Sequence, residues 1–171
     1  PRDEGILSDV ERLAEASGSW ESLRGMVESV TKGNDVDSML TRDLNLRAAG
    51  WYRDKLGDAA AAEASLRASI RADAETLEAH EQLIDLLRAG GRNADLVPAL
   101  RAWASADTDE EAKKDRLREA SALAASAGDV DTASACLRQI LDIDPTDPDA
   151  LDGLIDIRAT QEQWPDVVEL L

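Results

Sequence analysis

The chain has 171 residues, with 36 Asp plus Glu against 19 Lys plus Arg, a net charge of −17. Nucleic acid and anionic membrane surfaces are recognised by neutralising phosphate with Lys and Arg, so this balance argues against both and leaves basic partners open. No run of 18 apolar residues could span a bilayer, and the lone Cys136 leaves neither a disulfide framework nor a multi-cysteine metal centre.

Aromatic residues make up 3% of the chain and Phe is absent, so the core must be built from Leu, Ile, Val and Ala, which suits close-packed helices. Alternating strand patterns are missing, whereas Leu40, Leu44, Ala48, Tyr52 and Leu56 repeat at four-residue spacing, one stripe of a helix. The same periodicity predicts helices over about 5–17, 20–32, 36–56, 59–72, 76–89, 95–105, 109–127, 130–142, 148–161 and 164–171. Thr108-x-x-Glu111 reads as a capping box for the seventh helix, and Asp147-Pro148 as an N-cap followed by a first-turn Pro for the ninth. Pro98 is tolerable in the sixth helix if Asp95 caps it and Pro98 stands in the first turn.

Glycine punctuation organises these helices into pairs. Gly18, Gly57, Gly91 and Gly128 stand 39, 34 and 37 residues apart, each where a helix should stop and most with a capping residue directly after. Five residues beyond each Gly come Leu23, Ala62, Leu96 and Ala133, and nine beyond come Val27, Leu66, Leu100 and Leu137; Val167 and Leu171 continue the series after Glu162. A second helix that buries two fixed positions in every unit is the sequence signature of a helical repeat.

At Gly128-Asp129-Val130-Asp131-Thr132-Ala133, Leu137, Ile140 and Asp144-Pro145, the pattern resembles the second helix and terminal Pro of the tetratricopeptide repeat family. Ala49-x-x-Tyr52 with Leu56-Gly57-Asp58 and Ala62-x-x-x-Leu66 resembles its helix junction, and Trp20-x-x-Leu23 and Trp164-x-x-Val167 place an aromatic where the family often has one. The resemblance implies an all-α, right-handed α-solenoid of about five antiparallel helix pairs, a single array over 1–171. The start without Met and the end at Leu170-Leu171 without a polar cap give the expectation of a segment from a longer protein. Fifteen of the 19 basic residues are Arg, which with the Ala and Asp excess suggests a high-GC bacterial source; a cytoplasmic location is mildly favoured, and oligomeric state is open.

Little here can carry chemistry. His80 has no second imidazole or nucleophile motif beside it and reads as a structural or surface His; Cys136, next to an anchor position, reads as a packed thiol. Asp142, Asp144, Asp147, Asp149 and Asp152-Gly153 do not meet the ligand register of a calcium loop, and helix capping explains them better. The expectation is a non-catalytic chain needing no cofactor or metal.

In tetratricopeptide arrays the first helix of each pair lines the groove, and the resemblance implies that positions 2, 5 and 9 point inward. Those positions give Glu78, Glu81 and Asp85, then Asp149, Asp152 and Asp156, and each trio falls on one helix face by its spacing alone. Between them come Asp115, Arg118 and Ala122, and the first unit offers Gly5, Ser8 and Arg12. In the second unit the register allows either Leu44, Arg47 and Trp51, with Trp51 as an exposed anchor, or Asp43, Leu46 and Gly50. Residues 128–171 hold 11 acidic side chains against Arg138 and Arg158, so acidity accumulates toward the C-terminus. The expected function is a protein-interaction scaffold whose acidic groove takes a protein or peptide with a basic or amphipathic segment. The alternatives are a structural spacer or self-assembly segment, and a substrate-recruiting array of an enzyme catalysing elsewhere.

Overall fold

A computed structural model of the chain describes residues 4–31 and 37–160, and every element among them is helical. The order is α1 (Glu4–Ser17), α2 (Trp20–Thr31), α3 (Ser38–Asp54), α4 (Ala59–Ala72), α5 (Leu77–Ala89), α6 (Asn93–Ala106), α7 (Glu110–Ser126), α8 (Val130–Ile143) and α9 (Pro148–Thr160). The observed ends fall within two residues of the expected ones; the expected helix 164–171, with Trp164, Val167 and Leu171, lies outside the described residues. Among the described residues no helix is long and apolar enough to cross a membrane.

The helices stop where the glycines stand because all four adopt left-handed backbone, with φ of 64° at Gly18, Gly57 and Gly91 and 79° at Gly128. At Gly128 the reversal lets the Gly128 and Asp129 amides bond back to the Ala125 and Ala124 carbonyls, which satisfies the end of α7. Asp58 and Asp129 then cap the helices that follow, accepting from the Ala61 and Thr132 amides. Leu23, Ala62, Leu96, Ala133, Val27, Leu66, Leu100 and Leu137, the eight anchor positions within the described residues, are all buried.

Two compact units divide the chain, residues 1–79 and 80–171, with the boundary inside α5. In the first, α3 and α4 form a pair locked by Ser69 Oγ donating to the Arg42 carbonyl at 3.0 Å and by an Arg42–Asp73 ion pair at 2.9 Å. Trp51 is buried, its ring centroid 6.1 Å from that of Trp20 at a tilt of 43°, with its indole N–H donating to Glu11 at 3.0 Å. The core there is Ala14, Leu44, Ala48, Ala49 and Tyr52 with the anchors.

In the second unit, α7 and α8 form a similar pair, with the serine bond running the opposite way, from the first helix to the second. Ser121 Oγ donates to the Ala133 carbonyl at 3.1 Å, and Lys114 reaches Asp144, the residue that ends α8, at 3.6 Å. Lys114 is the fifth residue of α7 as Arg42 is of α3, and Asp73 ends α4 as Asp144 ends α8, so both pairs close with a cation-to-C-cap clasp. His80, Ile84, Leu87, Ile140 and Cys136 are fully buried in this core. At the α6–α7 turn Arg116 donates to Asp107 at 2.5 Å while its guanidinium lies 3.8 Å from the Trp103 ring centroid.

Two local expectations are corrected. Asp95 does not cap α6, which begins at Asn93 with Arg92 at the cap position and no side-chain cap bond. Pro98 therefore stands inside the helix, where its missing N–H deprives the Ala94 carbonyl of an α-helical donor. The capping box at Thr108 gives way to Asp109, whose carboxylate accepts from the Glu111 and Ala112 amides at 3.0 and 3.1 Å, two donors where a hydroxyl at Thr108 would satisfy one. Gly153 belongs to packing and not to a calcium loop: a Cβ there would stand 2.9 Å from Leu137 Cδ1, so its absence lets α9 approach α8 closely.

Candidate protein-binding surface

The first helices of successive pairs in the second unit, α5, α7 and α9, are joined by ion pairs along one face. Arg88 on α5 bonds Glu119 on α7 at 2.7 Å and stands 3.7 Å from Asp85 one turn earlier. Arg118 on α7 bonds Asp115 at 2.9 Å and reaches across to Asp147 at 2.5 Å and Asp149 at 3.8 Å at the start of α9. These bonds tie the end of α5 to α7 through Glu119, and α7 to the start of α9 through Arg118.

The carboxylates on this face differ in what occupies them. Asp147, 3% exposed, is the N-cap of α9, with one oxygen on the Ala150 amide at 3.0 Å and the other on Arg118. Asp144 takes the backbone and hydroxyl of Thr146, which with Lys114 hold its carboxyl below the usual range. Lys114 is held above its ordinary value chiefly by its bond to Glu111, against the effect of burial. In contrast, Glu81, Asp152 and Asp156 are exposed and make no ion pair among the described residues. Asp85 and Asp149 are also open, 67% and 78% exposed, and each is held only by a long contact to an arginine.

Arg118, on α7, has its guanidinium committed to neighbouring carboxylates. Burial acts to lower its pKa, and Asp147 and Asp115 outweigh that effect and hold it above the ordinary value. Its Nε is buried with no acceptor within hydrogen-bond distance. Glu78, exposed, falls in the first unit and makes an interaction within the chain. Trp51 is corrected: it is no exposed anchor, because its stripe of Leu44, Arg47 and Trp51 packs toward α1, with Arg47 3.5 Å from Glu11. Asp43, exposed, and the half-buried Leu46 and Gly50 form the more open stripe of α3.

Arg88 and Glu119, which link α5 to α7, did not stand out in the sequence. The signal that could have found them is the recurrence of a cation and a carboxylate about one repeat apart: Arg42 with Asp73, Arg88 with Glu119, Lys114 with Asp144 and Arg118 with Asp147.

No family model matches the chain, and no curated protein matches it. Among solved structures it is similar to a crystal structure of MamA, at 16% identity over 92% of this chain and 87% of that one, with a TM-score of 0.46. A second MamA crystal structure gives 17% identity over 97% and 86%, with a TM-score of 0.46. A double mutant, MamA RS-1 ArsTM, gives 13% identity over 99% and 95%, with a TM-score of 0.48. At that level of likeness the functional reading rests on the chain's own residues.

Proposed function

We propose that this chain is a non-catalytic protein-interaction module of tetratricopeptide type, and that the α5–α7–α9 face takes a basic or amphipathic peptide segment. The observation that carries this reading is the division of labour among the carboxylates: Asp144 and Asp147 close the fold, whereas Glu81, Asp152 and Asp156 are exposed and make no ion pair among the described residues. Like charges on adjoining helix turns repel, and a cationic ligand relieves that repulsion. The test is a pull-down at low and high salt comparing the chain with the triple variant Glu81→Gln, Asp152→Asn, Asp156→Asn. Capture of basic partners by the unmodified chain at low salt, lost in the variant and in salt, is the expected result; equal capture by both forms refutes it.

A self-assembly reading has one specific observation in its favour. Leu13, Met26 and Met39 in the first unit are 58–60% exposed, far more than apolar side chains in a finished core. It predicts a mass that rises with concentration and falls back in Leu13→Glu, Met26→Glu; a concentration-independent monomer removes it.

A further inference from the structure

A cavity of about 470 Å³ lies in the second unit between the first half of α6, the end of α7 and the start of α8, away from the carboxylate face. Its size is within the range of small-molecule sites. Ala94, Val97, Pro98 and Leu123 give it apolar walls, and Arg101 lines it from α6. In a chain where most arginines are clasped by carboxylates, Arg101 makes no ion pair among the described residues. It is half-buried, and its Nε is buried with no acceptor.

Asp129, also in the lining, does not fill that role. Its carboxylate is taken by the amide and hydroxyl of Thr132 as the N-cap of α8, and it stands beyond ion-pair distance of Arg101. A partly desolvated guanidinium facing apolar walls is a receptor for an anion with a hydrocarbon body: the planar fork matches a carboxylate, and removal from bulk water strengthens the attraction. Asp129 keeps its charge and acts on Arg101 through space, but its oxygens are occupied by Thr132 and it forms no ion pair with the guanidinium, whose hydrogen-bonding groups are left for a ligand carboxylate.

We propose that this cavity binds a small carboxylic acid anion with a short hydrocarbon tail, its carboxylate on Arg101 and its tail against Val97, Pro98 and Leu123. The small volume, shared among three helices, suits a free small molecule, and the titration below separates it from a peptide terminus.

The experiment is an NMR titration of the full chain with octanoate, octanol, and a short peptide ending in a Leu carboxylate. Octanoate should shift the Arg101 Nε–H signal and the Ala94 and Leu123 amides along one saturable curve, with octanol roughly tenfold weaker or silent. Arg101→Gln should abolish saturation while its helical circular dichroism stays that of the parent. Equal binding of octanoate and octanol, no saturable shift with octanoate, or binding of the peptide alone overturns the proposal. The octanoate-to-octanol comparison needs no variant, so it stands even if Arg101→Gln does not fold.

Discussion

Asp147 is the side chain on which the end of the second unit turns, and its removal separates two contributions. Replacing it by Ala deletes the cap of α9, worth about 1 kcal/mol, because the Ala150 amide loses its acceptor. It also strips Arg118 of its closest partner. Breaking a fully buried pair costs about 3–5 kcal/mol, but Arg118 is 32% exposed and keeps Asp115 and Asp149, so a third of that, about 1–2 kcal/mol, is the reasonable share. The expected total for Asp147→Ala is about 2–3 kcal/mol. Asp147→Asn keeps one oxygen for the Ala150 amide but turns the oxygen facing Arg118 into an amide donor, so it retains the cap, loses the Arg118 bond and should cost about 1 kcal/mol less than Asp147→Ala. Urea unfolding followed by helical circular dichroism measures both, and hydrogen exchange should show α9 losing protection first. If Asp147→Ala is indistinguishable from the parent, or Asp147→Asn is as damaging as Asp147→Ala, the dual role is wrong.

Gly128→Ala should cost about 1 kcal/mol from backbone alone, because φ is 79° and nothing lies within 4 Å of a new Cβ. Gly153→Leu should cost about 1–3 kcal/mol by forcing α9 off Leu137, and denaturation midpoints check both. Burial pushes the Cys136 thiol above its ordinary pKa, so a thiol reagent should react with it only after unfolding; rapid native labelling refutes the packed reading. The Asp109 amide and then Arg116 hold Asp107 below the carboxylate range, and Arg42 does the same to Asp73. A lowered folded pKa contributes stability above the unfolded value, about 4, that is lost as pH falls through the folded one. Stability should accordingly hold down to about pH 4 and decline below it, and a midpoint that rises steadily to pH 2 contradicts this.

Local signals carried the architecture well. Four glycines at near-repeat spacing and two apolar offsets behind each were sufficient to place the helix pairs, because a left-handed stop and a buried anchor are both decided within a few residues. Errors arose where neighbouring residues compete or distant ones decide. Asp109 displaced Thr108 by offering an acceptor to two amides, and α6 starts early enough to leave Pro98 internal. Trp51 was misplaced because its partner, Glu11, is 40 residues away, and the helix periodicity is silent about which neighbour covers which stripe. The acidic trios were legible as stripes, but which carboxylates are clasped and which are open depends on Arg88 and Arg118 reaching across helices. The cavity at Arg101 needs α6, α7 and α8 together and has no linear signature.

The proposed role requires the open carboxylates of α5 and α9 to receive a cationic segment. Its most direct measurement is the map of amide shifts on adding a Lys- and Arg-rich amphipathic peptide, repeated at about 0.5 M salt, where exposed charges are screened within about 5 Å. Binding at this face should give shifts gathered on Glu81, Asp85, Asp152 and Asp156 that collapse in salt. Shifts that gather elsewhere, or that persist unchanged in salt, contradict it.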